Sequence, residues 1–403
     1  AGLETAVIER GTACGAKNMT GGRLYAHSLE RLIPDFAETA PLERRIVKER
    51  ILLMSESKAT TLEYCDEALH ERPGASYSVL RAKFDPWLAE RAEEAGAMYV
   101  TGIRVDKLLQ KDGGVCGVVA GDDILYADVV LLADGVHSLL AQKLGMKKAL
   151  APHQVAVGVK EVIGLGEKTV SERFGVRAGR GVACLAAGYP TGGAVGGGFL
   201  YTNGDSLSLG TVVTLSHIGA AGVKVPDMIE RFKAHPAIAP LIEGGTLLEY
   251  AAHLVPEGGY HMMPELFWNG VLVAGDAAGF VINMGYSFRG MDFAIESGRL
   301  AAEAIIRAKR QNDFSAVGLS HYAALLEQSF VMRDLRHYRN MPALMDTRQI
   351  YDEFPALAAE IFGGLFRVDG SPPKKPTGLI GGALRSVGLS ELAKLGAKAL
   401  SAM

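Results

Sequence analysis

The chain has 403 residues, 48% of them hydrophobic, so it can build a sizeable core and is not disordered as a whole. It contains 42 Lys and Arg residues and 45 Asp and Glu residues, which gives a net charge of −3. This charge excludes the overall positive field with which many proteins bind nucleic acid. Four cysteines without C-x-x-C spacing offer neither a disulfide framework nor the usual iron–sulfur pattern, and we expect no metal site.

The first 150 residues predict an α/β unit with many tight turns, in keeping with the 49 glycines of the chain. The predicted elements are, in order, a strand at 5–9, a glycine-rich loop at 15–22, a helix from the N-cap Asp85 to Gly96, a strand at 100–105, a hairpin of 114–120 with 124–126 on the same sheet, and a buried strand at 127–133.

The rest of the chain changes character twice. Residues 155–253 are rich in β-strand patterns and predict a domain inserted into the first. A parallel-type strand at 271–274 is followed by an amphipathic helix from Met291 through Ile306, and the region after 314 reads as mostly helical. We therefore expect four segments, namely the first part of a cofactor domain (1–150), a β-rich domain on the substrate or quinone side (151–262), the return of the cofactor domain (263–312) and a helical C-terminal region (313–403).

Glu9 ends the first predicted strand. In doubly wound dinucleotide folds an acidic residue at a strand end accepts hydrogen bonds from the adenosine ribose, because a carboxylate is a strong acceptor. An ordinary strand-end glutamate is the alternative, and the stretch 7–11 (VIERG), which includes Arg10, does not by itself decide between them.

Two further strands end in an acid beside a glycine. Gly275 and Asp276 follow the strand at 271–274, where glycine lets backbone N–H groups approach a phosphate and the carboxylate can accept from a sugar hydroxyl. Asp134 and Gly135 follow the strand at 127–133 in the same way. A plain helix cap and an ordinary strand end remain the structural alternatives.

Together these motifs resemble a known group of proteins. The stretches 7–11 (VIERG), 133–135 (ADG) and 274–279 (AGDAAG), in this order, resemble the FAD-binding family of aromatic hydroxylases and geranylgeranyl reductases. Within it, the chain is similar to FixC proteins, relatives of electron transfer flavoprotein–quinone oxidoreductase (ETF-QO). The stretches that carry this second likeness are 17–25 (KNMTGGRLY), 78–81 (SVLR), 197–203 (GGFLYTN), 255–259 (VPEGG) and 289–292 (RGMD).

The resemblance implies the fold and the cofactor. The fold is α/β, with an FAD-binding Rossmann-like domain of the glutathione-reductase type, an inserted β-rich domain and a helical C-terminal region. The first strand and phosphate loop of that domain would precede the numbered chain. FAD would be the cofactor, and because electron transfer belongs to the flavin, we name no catalytic acid or base and treat the ten histidines as structural.

The resemblance also implies where FAD would lie. Glu9 would bind the adenosine ribose, and Val105 would bind the adenine through its backbone. Arg81 would lie at the phosphate or ribityl region, and Gly275 and Asp276 at the pyrophosphate and ribityl chain. Residues 285–291, including Gly285, Gly290 and Met291, would lie against the isoalloxazine, with Lys17, Gly21 and Gly22 on the opposite side of the ring. A surface salt bridge is the alternative for Lys17 and Arg81.

A relay of electrons is the function that the resemblance implies. The partners would be a two-subunit electron transfer flavoprotein, a separate ferredoxin-like iron–sulfur protein and quinone, because no cysteine follows Cys184 to hold a cluster within the chain. An FAD-dependent monooxygenase, a prenyl (geranylgeranyl) reductase of the same fold and a cofactor-free scaffold remain open as alternatives.

The location is predicted from the chain ends. No signal-peptide pattern is visible at the start of the numbered chain, so we expect a cytoplasmic protein. Residues 367–403 carry six basic and two acidic residues with an apolar stripe at helical spacing. This segment either lies on the inner face of the cytoplasmic membrane or packs as a final helix on the domain.

Overall fold

The computed structural model describes residues 2–16, 22–68, 71 and 74–402. Its strands are β1 (Thr5–Glu9), β2 (Gly22–Tyr25), β3 (Leu42–Met54), β4 (Ala59–Cys65), β5 (Ser76–Val79), β6 (Ala97–Thr101), β7 (Lys107–Lys111), β8 (Gly114–Ala120), β9 (Asp123–Tyr126), β10 (Val130–Leu132), β11 (Val155–Gly164), β12 (Arg180–Gly188), β13 (Gly196–Thr202), β14 (Ser206–Thr214), β15 (Thr246–Pro256), β16 (Phe267–Trp268), β17 (Val271–Val273), β18 (Ile282–Asn283) and β19 (Phe288–Arg289).

The helices alternate with these strands at first and dominate the chain after residue 290. They are α1 (His27–Leu32), α2 (Phe36–Thr39), α3 (Arg81–Glu94), α4 (Leu139–Lys143), α5 (Glu167–Phe174), α6 (Val225–Ala234), α7 (Ala239–Ile242), α8 (Met291–Gln311), α9 (Ala316–Leu319), α10 (His321–Gln328), α11 (Phe330–His337), α12 (Met341–Met345), α13 (Glu353–Leu365), α14 (Pro376–Val387) and α15 (Leu389–Ala402). Single 3-10 turns lie at Pro152–Gln154, Tyr189–Thr191, Leu215–Ala221, Gly259–Met262, Gly275–Ala278 and Arg348–Ile350.

A large sheet forms the β-rich half of the molecule. Its strand order is β15-β11-β14-β13-β12-β3-β5-β2, and β4 pairs with β3 beside this path. The β-rich pattern predicted for residues 155–253 is confirmed by strands such as β11, β13 and β14. The sheet also takes β2 to β5 from residues 22–79, so it extends beyond the segment 151–262 that we expected to form it.

The cofactor half is built from parallel pairs. β1 pairs with β6, and β10 pairs with β17. The apolar residues of β10 and β17 share one core with α8, whose buried stripe includes Phe293, Leu300 and Ala304. The parallel strand predicted at 271–274 and the helix that begins at Met291 are therefore confirmed.

Three local predictions are wrong. The helix predicted from Asp85 begins at Arg81, because the Arg81 guanidinium pairs with the Asp85 carboxylate one turn later and leaves Pro86 inside the helix. The strand predicted at 100–105 is β6, which ends at Thr101. The hairpin of β8 and β9 pairs with β7 in a sheet of its own and does not share one with β6.

The C-terminal segment packs on the rest of the protein. Leu395 and Ala399 of α15 contact the core that surrounds α8. Lys398 donates a hydrogen bond to Thr347 at 2.7 Å. These contacts favour the interpretation of this segment as a final helix packed on the domain. Among the described residues, none of the helices combines the length and the apolar character that a membrane crossing requires.

Buried Arg44 ties several parts of the large sheet together. It lies on β3, is 1% exposed, and its guanidinium donates hydrogen bonds to the carbonyl oxygens of Glu167, Arg180, Asn203 and Gly204 and to the hydroxyl of Ser171. One side chain thus satisfies acceptors in α5, at the start of β12 and in the turn between β13 and β14.

Replacing this guanidinium is expected to destabilise the fold. In Arg44→Met, several buried carbonyl groups lose their donor, so the free energy of unfolding should fall by about 3 kcal/mol or more. Urea unfolding followed by circular dichroism measures this. The exposed Arg177→Met is the control and should stay within about 0.5 kcal/mol of the wild type. Equal stability of the two variants would contradict the role of Arg44.

Candidate functional site

Two turns that each contain an acid follow the neighbouring strands β10 and β17 at the same edge of the sheet. Leu132 of β10 lies opposite Val273 of β17, and the N–H of Ala274 donates to the carbonyl of Leu132 at 3.0 Å. The strands are parallel, so the segments that follow them emerge side by side, where open α/β sheets bind their ligands. The structure thus brings Asp134 and Gly135 beside Gly275 and Asp276.

Lys147 holds these two turns together. Its ammonium donates to the carbonyl oxygen of Val136 at 2.7 Å and to that of Ala277 at 3.0 Å. The residue is 5% exposed, and burial lowers the pKa of its ammonium group, while the Asp134 and Asp276 carboxylates act in the opposite direction. Sequence reasoning missed Lys147, which stands in a short loop after α4 without a motif to mark it.

Each turn has a local reason for its shape. Gly135 has φ +80°, and the Ser138 hydroxyl closes the loop by donating to Asp134 at 2.8 Å. Gly275 has φ +59°, and its N–H donates to the Ser297 hydroxyl of α8 at 3.1 Å. After Gly275 the chain forms one short 3-10 turn, and the long helix begins at Met291, as predicted.

Glu9 lies at the end of β1, as predicted. Its carboxylate accepts a hydrogen bond from the N–H of Gly11 at 2.5 Å, which holds the side chain over the turn that contains Arg10. The carbonyl of Glu9 accepts from the N–H of Ile103 at 3.1 Å. This bond brings the segment before the half-buried Val105 against the end of β1, so Glu9 and Val105 belong to one edge of the site.

Arg81 is the first residue of α3, beside the loop that follows β1. Its guanidinium binds both carboxylate oxygens of Asp85, at 2.5 and 2.8 Å. Gly15 has φ +82°, and a Cβ atom there would come within 2.8 Å of the Arg81 carbonyl oxygen. A larger residue at position 15 would therefore push the loop after β1 away from Arg81.

Basic side chains from several segments lie within electrostatic reach of His253 and Asp276. Burial lowers the pKa of the His253 imidazole; the Asp276 charge raises it, and His137, Arg10 and Arg81 lower it further. Burial raises the pKa of the Asp276 carboxyl, while Arg81, His253 and Lys147 lower it. Arg81, which also pairs with Asp85, thus acts on both His253 and Asp276. We treated His137 and His253 as structural from the sequence, and only the long-range pairing of β15 brings His253 here.

The basic groups at this edge fit a dinucleotide. A doubly negative pyrophosphate placed near them would attract the Arg10 and Arg81 guanidinium groups and would favour the protonated form of His253. Gly275 beside them has no side chain and takes φ +59°, which suits the close approach of a phosphate. The residues present therefore fit FAD at the position that the sequence suggested.

The start of α8 lies close to the predicted residues Gly22, Gly285, Gly290 and Met291. Gly290 precedes the helix, and Met291 begins it. A Cβ atom on Gly22 would lie 3.4 Å from the Met291 methyl group, so β2 runs past the helix start. Gly285 has φ +79° in the turn between β18 and β19, just before the helix. Lys17 and Gly21 lie outside the described residues.

Charged and aromatic groups fix this helix start. Arg289 pairs with Asp292 at 2.6 Å and with Asp334 at 2.7 Å. The Tyr25 hydroxyl is hydrogen-bonded to the Ser287 hydroxyl in the turn before the helix. The start of α8 is thus joined to β2 and to α11.

One face of the large sheet is turned toward the same region. Lys160 of β11 is 1% exposed and lies opposite Ala251 and Gly210, next to His253 on the same face by strand alternation. A Cβ atom on Gly210 would lie 2.4 Å from the Phe199 ring, so that ring covers the glycine. Burial lowers the pKa of the Lys160 ammonium to about 7, with Glu249 opposing and Arg81 adding to the shift.

In the described ranges, no group of three or more His, Cys, Asp and Glu residues could hold a metal ion.

Comparisons with known sequences cover the whole chain. A sequence profile for the "ETF-QO/FixC family C-terminal domain" matches residues 341–403, and one for "ETF-QO, ubiquinone-binding" matches residues 155–255. A probable electron transfer flavoprotein-quinone oxidoreductase of Escherichia coli, YdiS, is 51% identical and is matched over 100% of this chain and 94% of its own length. Protein FixC of Salmonella typhi is also 51% identical, with the same coverage.

Solved structures share the fold. A geranylgeranyl bacteriochlorophyll reductase-like protein of Thermoplasma acidophilum has a TM-score of 0.71 at 20% identity, covering 98% of this chain and 93% of the other. The flavin-dependent halogenase CmlS has a TM-score of 0.62 at 17% identity, covering 98% and 74%. These likenesses confirm the predicted α/β fold with its FAD-binding architecture and helical C-terminal region.

Loss of the Lys147 ammonium is expected to separate the two turns. In Lys147→Met, two buried carbonyl groups lose a charged donor, so we expect FAD to bind at least about tenfold more weakly. Titration of the FAD-depleted protein by flavin fluorescence measures the dissociation constant. The neighbouring exposed Lys148→Met should bind FAD like the wild type. Wild-type affinity in the Lys147 variant would show that the turns hold without the ammonium.

The low pKa of Lys160 predicts how stability depends on pH. Between pH 7 and its ordinary pKa of 10.5, the unfolded chain binds a proton at Lys160 that the folded chain does not. The free energy of unfolding should therefore rise with pH there, by up to about 1.4 kcal/mol per pH unit from this group. In Lys160→Met this increment should disappear, whereas the exposed Lys168→Met should keep it. Urea unfolding at pH 7 and pH 9 compares the three proteins, and an unchanged increment in Lys160→Met would contradict the assignment.

Proposed function

This chain belongs to the ETF-QO/FixC family, and on that premise we propose that it takes electrons from an electron transfer flavoprotein and passes them to a quinone or to a ferredoxin-like iron–sulfur protein. The membership confirms the resemblance predicted from the sequence and, with it, an FAD-dependent electron-transfer oxidoreductase. When bound, FAD supplies the ring that carries electrons, and the protein's share is to bind and orient it.

The basic groups beside the Gly275 turn are the observation that carries this proposal. Arg10, Arg81, His137 and His253 would hold the pyrophosphate, with the Gly275 backbone and the Asp276 carboxylate toward the ribityl chain. A dinucleotide needs such basic groups for its phosphates, whereas an apolar substrate does not.

The other ends of FAD follow from the same geometry. We assign the adenosine ribose to Glu9 and the adenine to the backbone at Val105. The isoalloxazine would lie along residues 285–291, where the N-terminus of the long helix α8 favours negative charge on the reduced ring. Gly22 would face the ring from β2, and Lys17 and Gly21 stay predictions outside the described residues.

The quinone would approach from the sheet. The segment 155–255, which matches the ubiquinone-binding profile, contains Lys160, Phe199 and His253 on the face turned to the cofactor half. An aromatic ring beside a titratable ammonium group suits a flat quinone whose oxygens accept hydrogen bonds and protons.

The flavoprotein partner would dock at an open groove beside the Gly285 turn. Two adjoining cavities of about 440 and 370 Å³ share Arg333 and His337, and the second also contains Tyr286. Arg336 and Arg339 line the first. With Arg289 in the second cavity, four arginines and two acids, Glu327 and Asp334, line the groove, in a chain whose net charge is −3. We therefore propose an acidic partner surface there.

Stopped-flow mixing of the FAD-loaded natural protein with its reduced electron transfer flavoprotein tests the relay. Flavin bands of the acceptor should bleach and then recover when a soluble quinone is added. In Arg333→Glu the second-order rate at low salt should fall about tenfold, because the attraction is replaced by repulsion.

The control is Arg310→Glu, an exposed arginine at the end of α8, away from the groove, which should react at the wild-type rate. Absence of electron exchange in protein that carries a full complement of FAD would contradict the relay. Oxygen consumption coupled to a nicotinamide cofactor would then favour the monooxygenase.

A further inference from the structure

The turn that carries Gly285 is anchored by one amide side chain. The Asn283 carbonyl oxygen accepts from the N–H of Gly285 at 2.9 Å, and the Asn283 amide nitrogen donates to the Glu257 carboxylate at 3.1 Å. A carboxylate only accepts and a backbone N–H only donates, so the two partners determine the orientation of the amide. A continuous chain of hydrogen bonds therefore runs from the Glu257 carboxylate through the Asn283 amide to the Gly285 N–H.

Glu257 is itself held in place. Its N–H donates to the carbonyl of Gln154 at 2.7 Å, and the glycines that follow it lead into the turn at Gly259–Met262. A Cβ atom on Gly259 would lie 3.2 Å from Pro342, so this backbone packs against α12. The carboxylate can therefore move little without breaking its bond to Asn283.

The surroundings of Glu257 are nearly neutral. Gln154 and Asn283 carry no charge, and Tyr351 is the titratable group within its electrostatic reach, with Asp346 acting on the same phenol. Burial raises the pKa of the Glu257 carboxyl to about 7, and the Asn283 hydrogen bond acts in the opposite direction. At neutral pH a nearby change of charge would therefore alter its protonation.

We propose that Glu257 is the positioning residue of the Gly285 turn and that its carboxyl takes up a proton when negative charge is placed at this turn. The inference rests on the proposed function, because it is the flavin ring along residues 285–291 that would bring this charge on reduction. The step at Glu257 is a proton transfer alone, in which an O–H bond forms on the carboxylate and the proton comes from solvent. The electrons come from the flavoprotein partner or, in the test, from the electrode.

Two substitutions separate positioning from proton uptake. Glu257→Gln keeps an oxygen that can accept from Asn283 but cannot titrate, whereas Glu257→Leu removes the acceptor altogether. Glu265→Gln, an exposed glutamate nearby in the chain, is the matched control. The FAD-loaded natural protein and these three variants are compared by FAD titration and by spectroelectrochemical midpoint potentials between pH 6 and pH 9.

The expected results differ for each variant. Glu257→Leu should bind FAD about tenfold more weakly, and Glu257→Gln within about twofold of the wild type. In the wild type and in Glu265→Gln, the slope of midpoint potential against pH should change near neutral pH, and this change should be lost in Glu257→Gln.

An identical slope in Glu257→Gln and the wild type would overturn proton uptake at Glu257, and wild-type FAD affinity in Glu257→Leu would overturn its positioning role, both with the proposed function intact. FAD bound by none of the four proteins would overturn the proposed function and this inference with it.

Discussion

One buried ammonium group joins the two halves of the cofactor site. Lys147 donates to the turn after β10 and to the turn after β17, and the whole inserted β-rich segment lies between these strands in the sequence. Burial of a charge is costly unless polar partners replace water. Here two carbonyl oxygens and the nearby acids Asp134 and Asp276 do so, and the contact holds the two acidic turns side by side.

The two ends of the site rely on different kinds of group. Arg10, Arg81, His137 and His253 come from four separate segments and meet near the buried Asp276. An anion that enters there would favour the protonated form of His253. At the isoalloxazine end, the start of α8 and the turn before it provide glycines and backbone N–H groups, and the charged side chains Arg289 and Asp292 pair with each other.

Local patterns in the sequence were enough for the parts of the site that lie at strand ends. Glu9, Asp134 and Asp276 each follow a short apolar run, and parallel pairing brings the last two together. Lys147, His253 and Glu257 were not found, because their importance depends on pairings with residues far away in the chain. The stretch 255–259 was the one signal near Glu257, and the partner Asn283 carries none. The start of α3 was mistaken because proline after Asp85 is typical of a helix beginning, and the ion pair with Arg81 overrides that preference.

The strand order of the large sheet has a consequence for biosynthesis. One edge of β3, which ends at Met54, pairs with β12, which begins only at Arg180. At a translation rate of about 5–20 residues per second, that edge stays open on the nascent chain for roughly ten seconds. A long unpaired edge is a template for association with other chains. The charged residues along β3, which include Lys48, Glu49 and Arg50, therefore protect the unfinished chain on the ribosome as well as pairing in the finished protein.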